Sequence, residues 1–393
     1  MRINLRCQLL FGSFYAFVCV ISSFITYYLD TFNYSNKQIG ILVAVSSAAG
    51  AILQFFAGRI ADKYPNLYWR NQLLFFSILS LILSMSRIMF DAAAWEFISS
   101  GILLVLLYLM MPMVNQACFY YTNNGQPVNF GVARGVGAIC FAAASFGVGK
   151  ATGAMGQIAV PLTSTIFLCI VLITAFILPK IENAAAAVKE PAVQAQRSTG
   201  FVRKYSSFLV VTIGITLVLM FHNFVNTYFL RITESIGGDS SHMGVALGIA
   251  AASELPILFL YSKIARIRNV TSKLLIIVGC SVFVLRGILY LLIDNMMLLY
   301  AFQLLQSVSF GFLVASKATY SNEVMSENDK TTGQSIMSMT DSVGAVLGSL
   351  IGGMIIHHAG LDISLISGTF IAAIGTVMII LTSLRRQART VNQ

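Results

Sequence analysis

The sequence predicts an all-α membrane protein whose twelve transmembrane helices form two six-helix bundles. Three observations carry that prediction. Apolar runs long enough to cross a bilayer recur from end to end, a polar segment divides them six and six, and a stretch of the first half is repeated in the second.

Hydrophobic residues make up 57% of the 393 and charged residues 10%, a balance that points to lipid as the solvent. A helix rises 1.5 Å per residue, so about 20 apolar residues cross about 30 Å of hydrocarbon. Runs of that length fall at 6–29, 38–58, 71–89, 96–120, 131–152, 157–179, 206–230, 240–262, 272–293, 297–317, 332–356 and 361–383. Lipid offers no partner to an unpaired backbone amide, and the short alternating strands of a barrel are missing, so each run reads as a helix. The first has the basic start of a secretion signal, Arg2 and Arg6, but it continues through Phe14, Tyr15, Tyr27 and Tyr28 without a small-residue cleavage site. It reads as the first helix.

A formal charge of +10 raises the question of nucleic acid, which would need the basic residues gathered on a soluble face. They gather instead in alternate loops. With the N-terminus inside, Lys37, Arg87, Lys150 and Arg231 fall outside, Arg134 and Arg286 fall within spans, and the rest of the 25 Lys and Arg lie on the cytoplasmic side. This bias places the protein in the cell membrane with both termini cytoplasmic. The six cysteines lie in or beside apolar runs with no metal-ligand spacing. His357 and His358 are adjacent and point to different faces of a helix, so no metal site is expected. With no GxxxxGK[ST] loop, ATP is excluded as the energy source. No cofactor is expected.

The dividing segment is KIENAAAAVKEPAVQAQRSTGFVRKY, residues 180 to 205, which is polar, alanine-rich and basic. The organisation is therefore a bundle over 1–180, a cytoplasmic linker over 181–205 and a second bundle over 206–393. GILVAVSSAAGAILQFFAGRIAD (40–62) aligns without a gap on GVALGIAAASELPILFLYSKIAR (244–266), so the second span matches the eighth. A separation of six spans makes the repeats parallel in topology.

An ionisable side chain in mid-membrane costs at least a few kcal/mol unless it is paired or meets water. Arg134, His222, Glu254, Arg286 and Asp341 are therefore candidates for function, with buried pairs that lock helices together as the alternative reading.

At this point the chain resembles the major facilitator superfamily. GRIADKYPNLYWR (58–70) is similar to the superfamily's signature loop, with a glycine, an acid four residues later and then basic residues. The resemblance gives Gly58, Asp62 and Arg70 a role in holding one conformation. NFGVARGVGAICFA (129–142) resembles the fifth-helix motif of the lactose permease-like oligosaccharide:proton symporters. It implies that Arg134 binds substrate hydroxyls and that Phe141 stands where that group places a tryptophan under the sugar ring. SNKQIGILVAVSSAAGAILQFFAGRIADK extends the likeness through the second span. SELPILF implies that Glu254 joins substrate binding to protonation, and SVFVLRGILY places Arg286 on the arginine linked to coupling. HNFVNTYF brings His222, Asn223 and Asn226 into a polar patch, of which Asn226 fits a family asparagine.

Two departures matter. QLLQSVSFGF has Gln306 and Ser309 where the group has a histidine and the proton-carrying glutamate, and MPMVNQACF has Asn115 and Gln116 where the arginine's acidic partner is expected. They argue against a galactoside and leave coupling to Glu254 or Asp341. Among the aromatics, Phe141 and one of Tyr120 or Tyr121 are candidates to line a cavity.

The expected function is secondary active transport, proton-coupled uptake of a sugar, glycoside or similar small polar solute by alternating access, and not enzymatic catalysis. Its partners are the solute, a proton or sodium ion and the bilayer, with the chain acting as a monomer. Drug efflux, uptake of a nucleoside or aromatic acid, and a sensor that binds without transporting are the alternatives.

Overall fold

The computed structural model describes residues 3–63, 69–181, 201–268, 270–326 and 329–391, and among them there are helices and turns but no strand. In chain order the helices are α1 (Ile3–Val18), α2 (Ile25–Asp30), α3 (Asn36–Lys63), α4 (Trp69–Met89), α5 (Ala93–Asn123), α6 (Phe130–Met155), α7 (Ala159–Ile177) and α8 (Phe201–Lys204). There follow α9 (Ser206–Thr227), α10 (Phe229–Ser235), α11 (Ser240–Ile264), α12 (Ser272–Leu292), α13 (Met296–Gln303), α14 (Phe312–Val324) and α15 (Lys330–Val391).

Ten spans in these residues are long and apolar enough to cross a membrane. Two are far longer than one crossing requires: Phe130–Ile177 has 48 residues and Thr332–Ser383 has 52. Each is interrupted at a glycine with positive φ, Gly156 at 67° and Gly360 at 86°. That conformation strains any residue with a Cβ, so glycine sets the break. Elsewhere polar side chains start helices by accepting an orphan amide: Asn129 from Val132, Thr271 from Leu274 and Asn295 from Leu298. Large apolar side chains such as Phe75, Phe176 and Phe370 are exposed, as a lipid-facing surface requires.

Two predicted spans are not single α-helices. The run 6–29 passes through a π-helical turn at Cys19–Ser23 and bends at Phe24 before α2 begins. The run 297–317 is divided by a second π-helical turn, Ser307–Gly311, between α13 and α14. A π turn inserts one residue into the helical ladder and concentrates at functional sites. Neither run contains the proline that would have marked such a break in advance.

The chain forms two compact units, Met1–Glu190 with Thr233–Ala252, and Pro191–Ile232 with Ser253–Gln393. In the first, α1 packs on α6 and α7, α3 on α5, and α4 on both α5 and α7. Here α6 also meets the start of α11 at backbone distance. A Cβ on Gly244 would stand 2.3 Å from the Ser145 carbonyl oxygen, so only glycine fits. Ser241 donates to the Gly149 carbonyl at 2.9 Å and Thr152 to Ser240 at 2.9 Å beside it. In the second unit, α9 packs along α15, and α12 packs on α14 and α15.

Candidate functional site

In the second unit the polar residues of four helices converge on Arg286, which α12 holds nearly fully buried. Its guanidinium donates to Gln306, to Ser309 at 3.1 Å, to the Tyr290 hydroxyl at 2.7 Å and to Gln303 at 3.2 Å. Gln303 in turn donates to Tyr290 at 3.1 Å. Gln306 uses both ends of its amide: the carbonyl accepts from Arg286, and the NH2 group donates to Glu254 of α11 at 2.9 Å. A neutral amide thus connects a cation and a carboxylate.

The π turn supplies this geometry. Its extra residue puts Ser309 on Arg286 and, one position later, turns Phe310 onto His222 of α9 with ring centroids 4.5 Å apart. Phe283 meets the same imidazole edge-on at 5.2 Å, and Asn226, one turn along α9, donates to its Nε2 at 3.0 Å. Arg286 also lies 5.7 Å from the Phe283 ring, so the aromatic and ionic groups form one cluster. Asn223 does not join it, since it donates to the Leu219 carbonyl of its own helix at 2.8 Å.

Asp341 is held by a different cation. Lys317 of α14, whose side chain is 9% exposed, grips both its carboxylate oxygens at 2.5 and 2.6 Å, while the carboxylate itself is half open. Lys317 sits at the end of a predicted span, where it reads as a cytoplasmic boundary charge; it is instead a buried ion-pair partner.

In the first unit, Arg134 is half-buried on α6, its guanidinium 4.5 Å from the centre of the Tyr15 ring of α1. Tyr15 explains the last glycine of this motif, since a Cβ on Gly137 would press to 2.7 Å from the ring. The Tyr15 hydroxyl reaches the Met111 sulfur at 3.6 Å. Asn115 lies one turn beyond Met111 on α5, half-buried with an unpartnered Oδ1, and Gln116 is exposed. Phe141 is half-buried two turns after Arg134. An aromatic face on α1 thus stands beside Arg134.

The tyrosines considered for a cavity are anchored elsewhere. Tyr121 donates to the Pro179 carbonyl at 2.6 Å, and Tyr120 accepts from the Ile181 amide at 3.0 Å. Arg70 donates to the Leu178 carbonyl at 2.7 Å and Arg6 to that of Ile177 at 2.9 Å, so two cations close the C-terminus of α7. Gly58 and Asp62 lie in α3, but their side chains fall outside the described residues, as does most of the 181–205 linker. Arg87, expected in an outer loop, is buried against Glu96 at 2.9 Å. Tyr290, Gln303, Phe283 and Phe310 were missed because neutral polar and aromatic residues do not stand out in an apolar run.

Membrane-length helices that enclose charged and amide side chains fit a protein that handles a polar solute within the bilayer. The chain matches the MFS_1 like family over residues 3–365 and belongs to it. Its relatives include the uncharacterized transporter YwbF of Bacillus subtilis (strain 168), 22% identical over 302 residues, 76% of this chain and 72% of that protein. A putative sugar efflux transporter of Deinococcus radiodurans is 28% identical over 126 residues, 32% of each chain. Among solved structures, the nucleoside transporter NupG superposes with a TM-score of 0.74 at 15% identity, covering 98% of this chain and 99% of that one. A bacterial homolog of the human lysosomal transporter Spinster, inward-facing and occupied, gives 0.71 at 14% identity, covering 97% and 96%. The protein is a transporter of the major facilitator type and not an enzyme.

Proposed function

We propose that the protein takes up a small polyhydroxylated solute, a sugar or glycoside, by proton-coupled alternating access, with Glu254 as the coupling carboxylate. The observation that carries this reading is the bridge from Glu254 through Gln306 to Arg286. A carboxylate that an amide links to a cation keeps that link in both protonation states, because the amide N–H can donate to a carboxylate or to the carbonyl oxygen of the neutral acid. The rest of the Arg286 shell, Ser309, Tyr290 and Gln303, keeps the cation solvated in either state.

In the first unit, the Arg134 fork provides paired donors suited to vicinal hydroxyls, and Tyr15 holds its position from behind. We propose twelve crossings in two six-helix bundles, Phe130–Ile177 and Thr332–Ser383 each crossing twice and turning at Gly156 and Gly360. Both termini are then cytoplasmic, in the cell membrane.

The test is accumulation by purified protein in vesicles under an imposed pH gradient, with labelled sugars, glycosides and nucleosides supplied in turn. Accumulation that follows the gradient supports the proposal. Accumulation under a sodium gradient alone overturns the choice of ion, and binding without counterflow makes the protein a sensor. Export is the second reading, favoured by the name of the Deinococcus relative; net solute efflux driven by inward proton flow would select it.

A further inference from the structure

Arg87 and Glu96 form an ion pair with 2% and 0% side-chain exposure, and neither is among the groups assigned to transport. They are nine residues apart, in the last turn of α4 and the first turn of α5. Glu96 Oε2 accepts from Arg87 Nε at 2.9 Å and from the Tyr28 hydroxyl at 2.6 Å, and the guanidinium lies 4.1 Å from the centre of the Tyr28 ring. Both donors therefore converge on one carboxylate oxygen. Glu96 Oε1 has no hydrogen-bond partner, and neither has Ser100 Oγ one turn further along α5. Spacing of four residues stacks these two oxygens on one face of the helix. Buried oxygens of this kind each cost about 1–3 kcal/mol if nothing satisfies them.

A small cavity opens at the same place. It is lined by Tyr28, Arg87 and Ser100, with Val20, Ile21 and Val160 among the apolar walls, and it is about the size of one water molecule. Val20 and Ile21 belong to the π-helical turn, whose widened backbone forms one wall. Apolar cavities of this size stay dry, but a wall carrying a guanidinium and an unpartnered hydroxyl meets the usual requirement of two to four polar partners.

We propose that this cavity is a binding site for a single internal water molecule, held by Arg87 and by the unpartnered hydroxyl of Ser100. The water adds a partner on the Arg87 side of the ion pair and makes the junction of α2, α4 and α5 a hydrated one. Arg87 and Tyr28 are the titratable groups that face Glu96, and α7 contributes only the uncharged Val160 to the cavity.

Radiolytic hydroxyl-radical labelling of the purified protein, read by mass spectrometry, tests this, because a bound water generates radicals beside otherwise inaccessible side chains. Tyr121 and Tyr228 are as buried as Tyr28 and serve as dry references. Tyr28 should be labelled several-fold faster than either, and Ser100→Val, which fills the cavity, should reduce its rate to theirs. Equal protection of all three tyrosines in the wild type would overturn the proposal whether or not the variant folds. A second measurement has opposite signs under the two cases. Ser100→Ala removes an unpaired hydroxyl from a dry cavity and raises the melting temperature, whereas in a hydrated site it removes a partner of the water and lowers it. A raised melting temperature would also overturn the proposal.

Discussion

Gln306 donates its side-chain amide to Glu254 at 2.9 Å while its carbonyl accepts from Arg286, so the carboxylate is linked to its cation through a neutral residue. Replacing Gln306 by leucine keeps the volume and removes the link at both ends. Buried Arg286 and half-buried Glu254 then each lose a charge-assisted bond, and the expected cost is about 1–3 kcal/mol of stability together with loss of coupled accumulation. Thermal melts and vesicle uptake of the same preparation check the two halves. Unchanged uptake in Gln306→Leu would leave the bridge a packing feature.

Glu254→Gln fixes the side chain as a mimic of the protonated acid. Uphill accumulation should be abolished, while exchange of labelled for unlabelled solute across the vesicle continues, because exchange does not require the proton to leave. Full accumulation by this variant would remove Glu254 from the coupling role.

Asp341→Asn should behave differently. It leaves the Lys317 ammonium buried without its counter-ion, and the expected result is a lower melting temperature. The half-open carboxylate keeps the loss below that of a fully buried pair. Adding Lys317→Met should recover the melting temperature. If the double variant melts no higher than Asp341→Asn, the ion pair is not what the single substitution disturbed.

Arg134→Lys keeps the positive charge but loses the planar fork of donors, so solute binding should weaken about 10- to 100-fold with folding intact. Tyr15→Leu, which removes the ring beside the guanidinium, should weaken it less. Ligand titration of the three proteins gives the order directly. Wild-type affinity in Arg134→Lys would assign that side chain to helix packing.

At the end of α8, hydrogen bonds from Lys204, Tyr205 and Ser326 hold the Asp329 carboxyl well below its ordinary value, at about 2. A lowered folded-state value favours folding above the unfolded carboxylate range, and the benefit is lost as the pH falls through about 2. The wild type should therefore melt higher than Asp329→Asn near neutral pH, and the gap should close in strong acid. A gap of constant size across that range would show that the charge is not involved.

The helical class and the ionisable residues of the second unit were legible because charge inside an apolar run is costly and therefore conspicuous. Glu254 and Arg286 are found that way, and the structure joins them through Gln306. Lys317 and the Arg87–Glu96 pair were not legible, for one reason: each lies at the end of an apolar run, where a charge in a loop and a charge folded back into the core have the same sequence signature. Their burial depends on which helix packs alongside. The two π turns were equally hidden, since Cys19–Ser23 contains neither glycine nor proline, and Ser307–Gly311 has its glycine only at the end. Gly156 and Gly360 stand at the gaps between predicted spans and mark their breaks openly.

The surplus residue of Ser307–Gly311 makes two contacts depend on one coordinate. Each residue of an α-helix advances about 100° around the axis, so restoring the regular ladder turns every side chain across the segment by that amount. Ser309 would swing off Arg286 and Phe310 off His222 in the same step, because both are carried by the one backbone register. Deleting Val308 imposes that register permanently, and the expected outcome is simultaneous loss of the Ser309 hydrogen bond and the Phe310 stack, visible as a changed environment of the His222 ring in nuclear magnetic resonance. Ionic and aromatic parts of the site thus share a single mechanical degree of freedom, like two hands fixed to one shaft.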